Sequence, residues 1–318
     1  GGYTTLTEDF KSADNTNTIR LGDQKSIRSS GGSITVSNSG NLYSEERSST
    51  GMIVQSIGGG GGNIRRLSID PLGSNWQLGS LEGSDKSAGN ISINNTGDFI
   101  VTKGAYGRAM LAQSIGGGGG WIAGFTETDV DARLGAKSPA GTVRGGDIQV
   151  SNSADITTTG FSAGAITVQS IGGGGGLLGM KTGQVQMGLS DGSGVSDSGS
   201  LDVTNSGFIR TQGSDSPALL LQSIAGGGGR ADQYFGNVQL GLTGRGGTLE
   251  ANSGNIKLVN TGDFILTEGN SSPGITAQSI AGGGGFVGMQ LNDSPEAEQI
   301  GRIGAGQYQR DENGIAIA

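Results

Sequence analysis

A chain of 318 residues with 66 glycines, 5 prolines, no cysteine, no histidine and a formal charge of −8 excludes several classes at once. Lacking a Gly-X-Y period it is not collagen, and lacking cysteine and histidine it has no disulfide framework, thiolate nucleophile or usual zinc or iron site. An acidic balance with no basic stripe argues against nucleic acid as a partner, and 32% apolar residues describe a narrow interior rather than one large globular core.

The chain opens with Gly1-Gly2-Tyr3 and then Ile19-Arg20-Leu21-Gly22, which read as the tail of a glycine run and a strand behind it. The alternation of SITVSNSG (33–40) predicts a β-strand with one wet face, ending in a turn where Asn and Gly tolerate left-handed backbone. A second strand follows and runs into VQSIGGGGG (54–62), then a variable loop, then WQLG (76–79). This order returns: ISINNTG (91–97), AQSIGGGGG (112–120) and ARLG (132–135); IQVSNS (148–153), VQSIGGGGG (168–176) and VQMG (185–188); LDVTNSG (201–207), LQSIAGGGG (221–229) and VQLG (238–241); IKLVNTG (256–262) and AQSIAGGGG (277–285). The glutamines fall at 55, 113, 169, 222 and 278, a period of 53 to 58 residues. Residues 286–313 lack a clear Asn-Ser/Thr strand, and Gly314-Ile315-Ala316-Ile317-Ala318 resembles the stretch just before Gln278. Both ends therefore read as cut from a longer array.

No segment shows a capped 3.6-residue stripe, and none approaches the length of a transmembrane helix. The expected fold is all-β: a repetitive, parallel β-helix-like solenoid with polyglycine segments stacked along one face. It forms one continuous array over 1–318, with modules at 1–62, 63–120, 121–176, 177–229, 230–285 and a shortened or divergent 286–318. Glycine-rich stretches are commonly flexible linkers. Against that, these runs keep four or five residues behind a fixed tripeptide and contain no serine. Ordering five glycines costs roughly 5–10 kcal/mol, so an ordered run must be stacked and flanked by apolar burial. A threefold polyproline-II-like run would make a face about 15 Å wide; plain β-strand is the other geometry, and the residues do not choose. In either case Ile57, Ile115, Ile171, Ile224 and Ile280 are expected to stack internally. Gln55, Gln113, Gln169, Gln222 and Gln278 are expected to form an amide ladder. Ala225 and Ala281 replace the first glycine of their runs, which requires a backbone angle that tolerates a Cβ and space for one methyl, and predicts that this position is less crowded than the following four.

These Gln-Ser-Ile-polyglycine repeats among Asn-Ser/Thr-Gly strands resemble the passenger regions of large Gram-negative autotransporter proteins, over about Ile19 to Gly285. The resemblance implies type V secretion and a β-helical stalk at the bacterial surface or outside the cell, which accords with the missing cysteines. It implies adhesion or biofilm roles only generally. It also implies that this segment does not itself insert in a membrane.

Chemistry is sought and not assigned. Asp129 and Asp131, Asp191 and Asp197, and Glu296, Glu298, Asp311 and Glu312 are the carboxylate groupings a polysaccharide-cleaving β-helix would need, but they lie in variable loops where solvated charge is the default. Gly176–Thr182 misses the phosphate-loop pattern by an inserted methionine, and no calcium nonapeptide is present. No catalytic, cofactor or metal residue is expected, and the chain is read as a non-enzyme. Trp76, Trp121, Phe125, Tyr234, Phe235 and Phe286 follow the glycines. They either fold over the bare backbone or contact a surface glycan, a host or abiotic surface, or another copy of the chain laterally. The expected function is a stalk or adhesin segment; a glycan-degrading β-helix and a phage tail adhesin with packed polyglycine are the alternatives.

Overall fold

The computed structural model describes residues 2–6, 17–21, 29–66, 74–79, 86–124, 131–135, 141–179, 184–188, 194–234, 237–241, 249–289, 301–303, 309–310 and 316–317. Among them every regular element is a β-strand, and all but Gln309–Arg310 and Ala316–Ile317 pair with the equivalent strand one repeat away, in parallel and, one shift between Ala231 and Tyr234 apart, in register. One repeat is thus one coil. Each coil adds a single layer of about 4.8 Å.

Within a coil the strands run in a fixed order. An Asn sheet stacks Ile34–Asn38, Ile91–Asn95, Ile148–Asn152, Leu201–Asn205 and Ile256–Asn260. A short sheet follows, made of Leu42–Ser44, Phe99–Thr102, Asp155–Thr158, Ile209–Thr211 and Ile265–Thr267. Next comes a Gln sheet of Met52–Ile57, Met110–Ile115, Ile166–Ile171, Leu219–Ile224 and Ile275–Ile280. Beyond the glycines lies a post-glycine sheet of Gly2–Leu6, Gly61–Arg66, Gly119–Gly124, Gly175–Gly179, Gly228–Tyr234 and Gly284–Met289. A Leu-Gly sheet of Asn17–Leu21, Ser74–Leu78, Asp131–Leu134, Gln184–Met187, Asn237–Leu240 and Gly301–Ile303 completes the coil. In the later coils a short ribbon, Thr142–Arg144, Gly194–Asp197 and Leu249–Glu250, leads back to the Asn strand. We number as layers one to five the coils whose glutamines are 55, 113, 169, 222 and 278.

Period-two alternation sets what each sheet buries. Ile91, Ile93 and Ile100 point inward and meet Met110 and Ala112 of the Gln strand in one core, which the equivalent residues extend through all layers. Ile64, Trp76, Leu78, Ile122 and Leu134 form a second core between the post-glycine and Leu-Gly sheets. The other face of the Gln sheet packs Leu111 and Leu220 against Trp121, Ala123 and Leu177 of the post-glycine sheet. The Gln strand is therefore covered on both faces, and in layers two to four it has no exposed residue. That explains its nearly continuous apolar spelling, against the clean alternation of the Asn strand.

Gly2–Leu6 and Asn17–Leu21 join the post-glycine and Leu-Gly sheets, as their spelling predicts. At the other end, Ala316–Ile317 pairs antiparallel with Gln309–Arg310. Of the stretch 314–318 that resembles a Gln strand, the described Ala316–Ile317 pairs here and not on Ile275–Ile280.

Candidate functional site

The glycine run is a corner with a strand attached. Gly117 and Gly118 have φ of 83° and 85°, Gly119 and Gly120 of 140° and 139°, and the other four runs repeat these values within a few degrees. The first pair turns the chain; the second pair already belongs to the post-glycine strand. Four successive positive φ values are open to glycine and costly for any L side chain. Neither expected geometry, a uniform threefold helix nor plain β, describes the run, because its two halves differ.

The same corner is closed from outside by backbone. A Cβ on Gly118 would lie 2.8 Å from the Cα of Gly79, and one on Gly174 would lie 2.6 Å from the Cα of Gly135. The glycine of the Leu-Gly motif is thus the lid of the run one layer up. On the other side Gly117 N donates to Lys86 O at 3.2 Å, and a Cβ on Gly116 would sit 2.5 Å from Arg144 O. Between layers Gly116 N donates to Ile171 O (2.9 Å), Gly174 N to Gly116 O (2.7 Å) and Gly175 N to Gly118 O (3.2 Å). The expectation that the first glycine is less crowded is corrected here. A Cβ on Gly58 or Gly172 would overlap the carbonyl of Ser87 or Asp197. The other half of the expectation holds: the backbone angle admits Ala225 and Ala281, since only the last four positions have positive φ.

Two side-chain ladders flank this corner and hold it in register, and a third runs along the end of the Asn strand. Gln55 Nε2 donates to Gln113 Oε1 (2.5 Å), Gln113 to Gln169 (2.7 Å), Gln169 to Gln222 (2.6 Å) and Gln222 to Gln278 (2.7 Å). The second amide proton of Gln113, Gln169 and Gln222 reaches the carbonyl of Gly120, Gly176 and Gly229 at 3.2–3.4 Å. Each buried amide therefore ties the strand before the corner to the strand after it. Beside the glutamines, Ile115, Ile171 and Ile224 form a wholly buried stack, with Ile57 and Ile280 partly covered at its ends.

The serine of the tripeptide, unassigned from sequence, makes the second ladder. Ser114 Oγ donates to Gly89 O (2.8 Å) and accepts from Gly146 N (2.7 Å); Ser170 Oγ donates to Gly146 O (2.8 Å) and accepts from Gly199 N (2.7 Å). Ser56 and Ser223 bridge in the same way. Asparagine makes the third: Asn38, Asn95, Asn152, Asn205 and Asn260 chain their amides at 2.7–2.8 Å. These asparagines end strands and do not adopt the left-handed backbone expected of them. That conformation falls at another turn, on Ser48, Tyr106, Ser162, Asp215 and Ser271.

Sequence reasoning also missed a buried charge cluster. Arg230 and Asp232 stand where neighbouring layers place Leu177 and Gly179, facing the Gln sheet. Arg230 Nε donates to Asp232 Oδ2 at 2.8 Å, and Arg108 Nη2 lies 3.7 Å from the same oxygen. Arg108 Nη1 donates to Thr167 Oγ1 at 3.1 Å, and the Arg230 guanidinium lies 4.5 Å from the ring centre of Phe286. Burial lowers the Arg108 pKa to about 10, against the attraction of Asp232, and pushes Tyr106 up to about 12. All three charged side chains are at most 2% exposed, so the cluster clasps layers two to five and meets no solvent. The only advance signal was GGGGRAD, two charges at inward-facing spacing behind a glycine run.

The expected contact residues divide. Trp76 and Trp121 are 1% exposed, each within an apolar core, so neither presents its ring to solvent. Phe286 is half-buried under Arg230. Phe125, Phe235 and the side chain of Tyr234 lie outside the described residues. Of the carboxylates, Asp131 Oδ1 accepts from Gln184 N at 3.0 Å, and Asp197 Oδ1 accepts from Asn252 N at 3.1 Å while its other oxygen meets Arg144 Nε at 3.2 Å. Both cap an amide of the next layer. Asp129, Asp191, Glu296, Glu298, Asp311 and Glu312 lie outside the described residues. Among the described residues no group of three or more His, Cys, Asp or Glu is placed to hold a metal ion.

Comparison with family models, with curated proteins and with solved structures returns no match.

Proposed function

We propose that this chain is a structural segment of a bacterial adhesin, displayed at the cell surface or secreted, in which a rigid solenoid presents variable loops for attachment. The observation that carries this reading is the contrast between constant layers and variable connections. Gln, Ser, Asn and glycine repeat in register through every layer. The link between the post-glycine and Leu-Gly strands shrinks from six residues at 125–130 to two at 235–236 and grows to eleven at 290–300. These links leave the same corner of each coil, so successive loops are spaced by about one layer, 4.8 Å. Loops varying on a fixed scaffold are where binding concentrates.

The coil geometry refines the mechanical part. Each repeat of 53–58 residues adds only one layer of about 4.8 Å, so much of the chain in every layer is spent on width and connections rather than on length. The resemblance to autotransporter passengers supports a surface location, and glycans or solid surfaces are the proposed counterparts. The test is to replace 125–130 and 290–300 by the two-residue link at 235–236 and measure adhesion of the purified protein to glycan-coated and abiotic surfaces. Loss of adhesion with an unchanged far-ultraviolet spectrum is expected. Undiminished adhesion by the folded variant removes the loop reading.

A further inference from the structure

The amide ladders step one layer at a time, from Gln113 to Gln169 and from Asn95 to Asn152. Arrays tied only between neighbours behave as a sum of repeats and nearest-neighbour interfaces, so they can open in succession. The buried charge cluster departs from that pattern. Arg108 belongs to layer two and Asp232 to layer four, yet Arg108 Nη2 lies 3.7 Å from Asp232 Oδ2. Between them the arginine crosses layer three, where its Nη1 donates to Thr167 Oγ1 at 3.1 Å. Ser162 Oγ, also of layer three, donates to Asp232 Oδ2 at 3.4 Å.

Layer three is shaped to let these side chains through. Two residues after the left-handed residue of each turn, layer two has Arg108, layer three Gly164, and layers four and five Pro217 and Pro273. A Cβ on Gly164 would lie 3.0 Å from Arg108 Nη1 and 2.9 Å from Pro217 O. In the post-glycine sheet Gly179 pairs between Ala123 and Asp232. A Cβ there would come within 3.3 Å of the Tyr106 ring, which also enters from layer two. Neither glycine has a positive φ, so backbone angle does not call for either one. Both leave volume that layer-two side chains fill. Replacing a buried ion pair by apolar residues of similar volume is often neutral or stabilising. Stability alone therefore gives no reason for charges at these positions; reach does, because an arginine extends farther than an apolar side chain and ends in a rigid fork of donors.

We propose that Arg108 is a strap, anchored on Asp232, that makes layers two, three and four open as one unit rather than in succession. Arg230 holds the anchor. Its Nε donates to Asp232 Oδ2 at 2.8 Å, and its guanidinium packs 4.5 Å from the ring centre of Phe286 in layer five. Parting layer two from layer three strips Arg108 from Thr167 and Asp232 together, so unzipping of the array halts at the strap. This inference concerns the scaffold and stands independently of the attachment reading.

Native-state hydrogen exchange of the whole protein in low urea reads the Gln-strand amides of layers two, three and four, at 110–115, 166–171 and 219–224. In the parent the slowest amides of the three strands should exchange within about twofold of one another and with one urea dependence. Arg108→Met keeps an unbranched stem and leaves Asp232 paired with Arg230, so it cuts the strap without stranding the carboxylate. In that variant the layer-two amides should exchange about tenfold or more faster than those of layer four. Ile122→Val loosens layer two in the second core and leaves the strap intact, so it should speed all three strands by the same factor. Separate openings in the parent overturn the proposal, and that measurement decides even if Arg108→Met fails to fold. Equal acceleration of the three strands by Arg108→Met, or a split produced by Ile122→Val, overturns it as well.

Discussion

Replacing Gln169 by leucine tests whether the amide ladder is a stabilising element or a passenger of backbone stacking. Gln169 is wholly buried; it accepts from Gln113 (2.7 Å) and donates to Gln222 (2.6 Å) and Gly176 O (3.2 Å). Leucine is close in volume, so packing changes little and the loss is polar. Three net bonds at about 0.5–1.5 kcal/mol each give about 3 kcal/mol, and the unpaired Gln222 oxygen and Gln113 proton raise this toward about 4–5 kcal/mol. Gln55→Leu removes one bond of a half-buried amide and leaves the buried Gln113 oxygen without its donor, and should cost about 2 kcal/mol. Urea unfolding followed by far-ultraviolet circular dichroism reads both variants against the parent, with the slope checked because repeat arrays depart from two-state behaviour. A ratio of about two between the Gln169 and Gln55 variants is expected. Equal costs for the two variants, or a central cost below about 1 kcal/mol, would show that the glutamines follow the stack without holding it.

Gly119→Ala forces a Cβ onto a residue with φ of 140°, directly against the Gly175 carbonyl, and should prevent layers two and three from closing; Gly282→Ala meets nothing within 4 Å at φ of 81° and should cost only about 1–2 kcal/mol of backbone strain, both read by thermal melting. Burial first, then the charge of Asp232, raises the Asp215 pKa against the attraction of Arg230. A raised carboxylate pKa means the folded state holds its proton longer, so this group's contribution is full below the unfolded value and declines as pH rises through the folded one. Asp215→Asn, at a left-handed position asparagine tolerates, should therefore stabilise at pH 7 and lose that gain near pH 3; a gain independent of pH would assign it to backbone preference instead. Excising 170–222 joins Gln169 to Ser223 and removes one coil, which should leave a folded protein shorter by about 4.8 Å in solution scattering.

Much of this architecture is legible in the amino-acid order because each strand writes its own burial. The alternation of Ile91-Ser92-Ile93 gives a half-buried strand, and the repeated Gln and Ile positions give their stacks directly. The rise per repeat was not legible, since a period of 53 to 58 residues is compatible with one large coil or several small ones. The role of Ser114 is not legible in its own strand, because its two-way bridge needs the backbone of Gly89 and Gly146, which are distant in sequence. The left-handed turn escaped notice because its identity changes, from Ser48 to Tyr106 to Asp215, while its backbone does not. Trp76 and Trp121 adjoin variable segments, so their spelling is compatible with a covering role or a loop contact; both belong to strands whose packing buries them in a core.

The three ladders sit at different points of the coil, and that placement answers a problem peculiar to wide parallel layers. A strand slipped by one residue moves its whole inward set to the other face. In a Gln strand that is covered on both faces, apolar burial alone penalises such a slip weakly, because Met110, Leu111 and Ala112 are acceptable on either side. A slip that displaced Gln113 would leave its amide, the Gly120 carbonyl and the neighbouring glutamines unpaired in a dry interior, at about 1–3 kcal/mol per buried group. Ser114, on the opposite face, would simultaneously lose Gly89 and Gly146. Adjacent residues thus report register to opposite walls, and the glycines beyond them admit no side chain that a slip would bring. The tripeptide and the run behind it form a single register lock, which explains why they recur together while the loops around them vary.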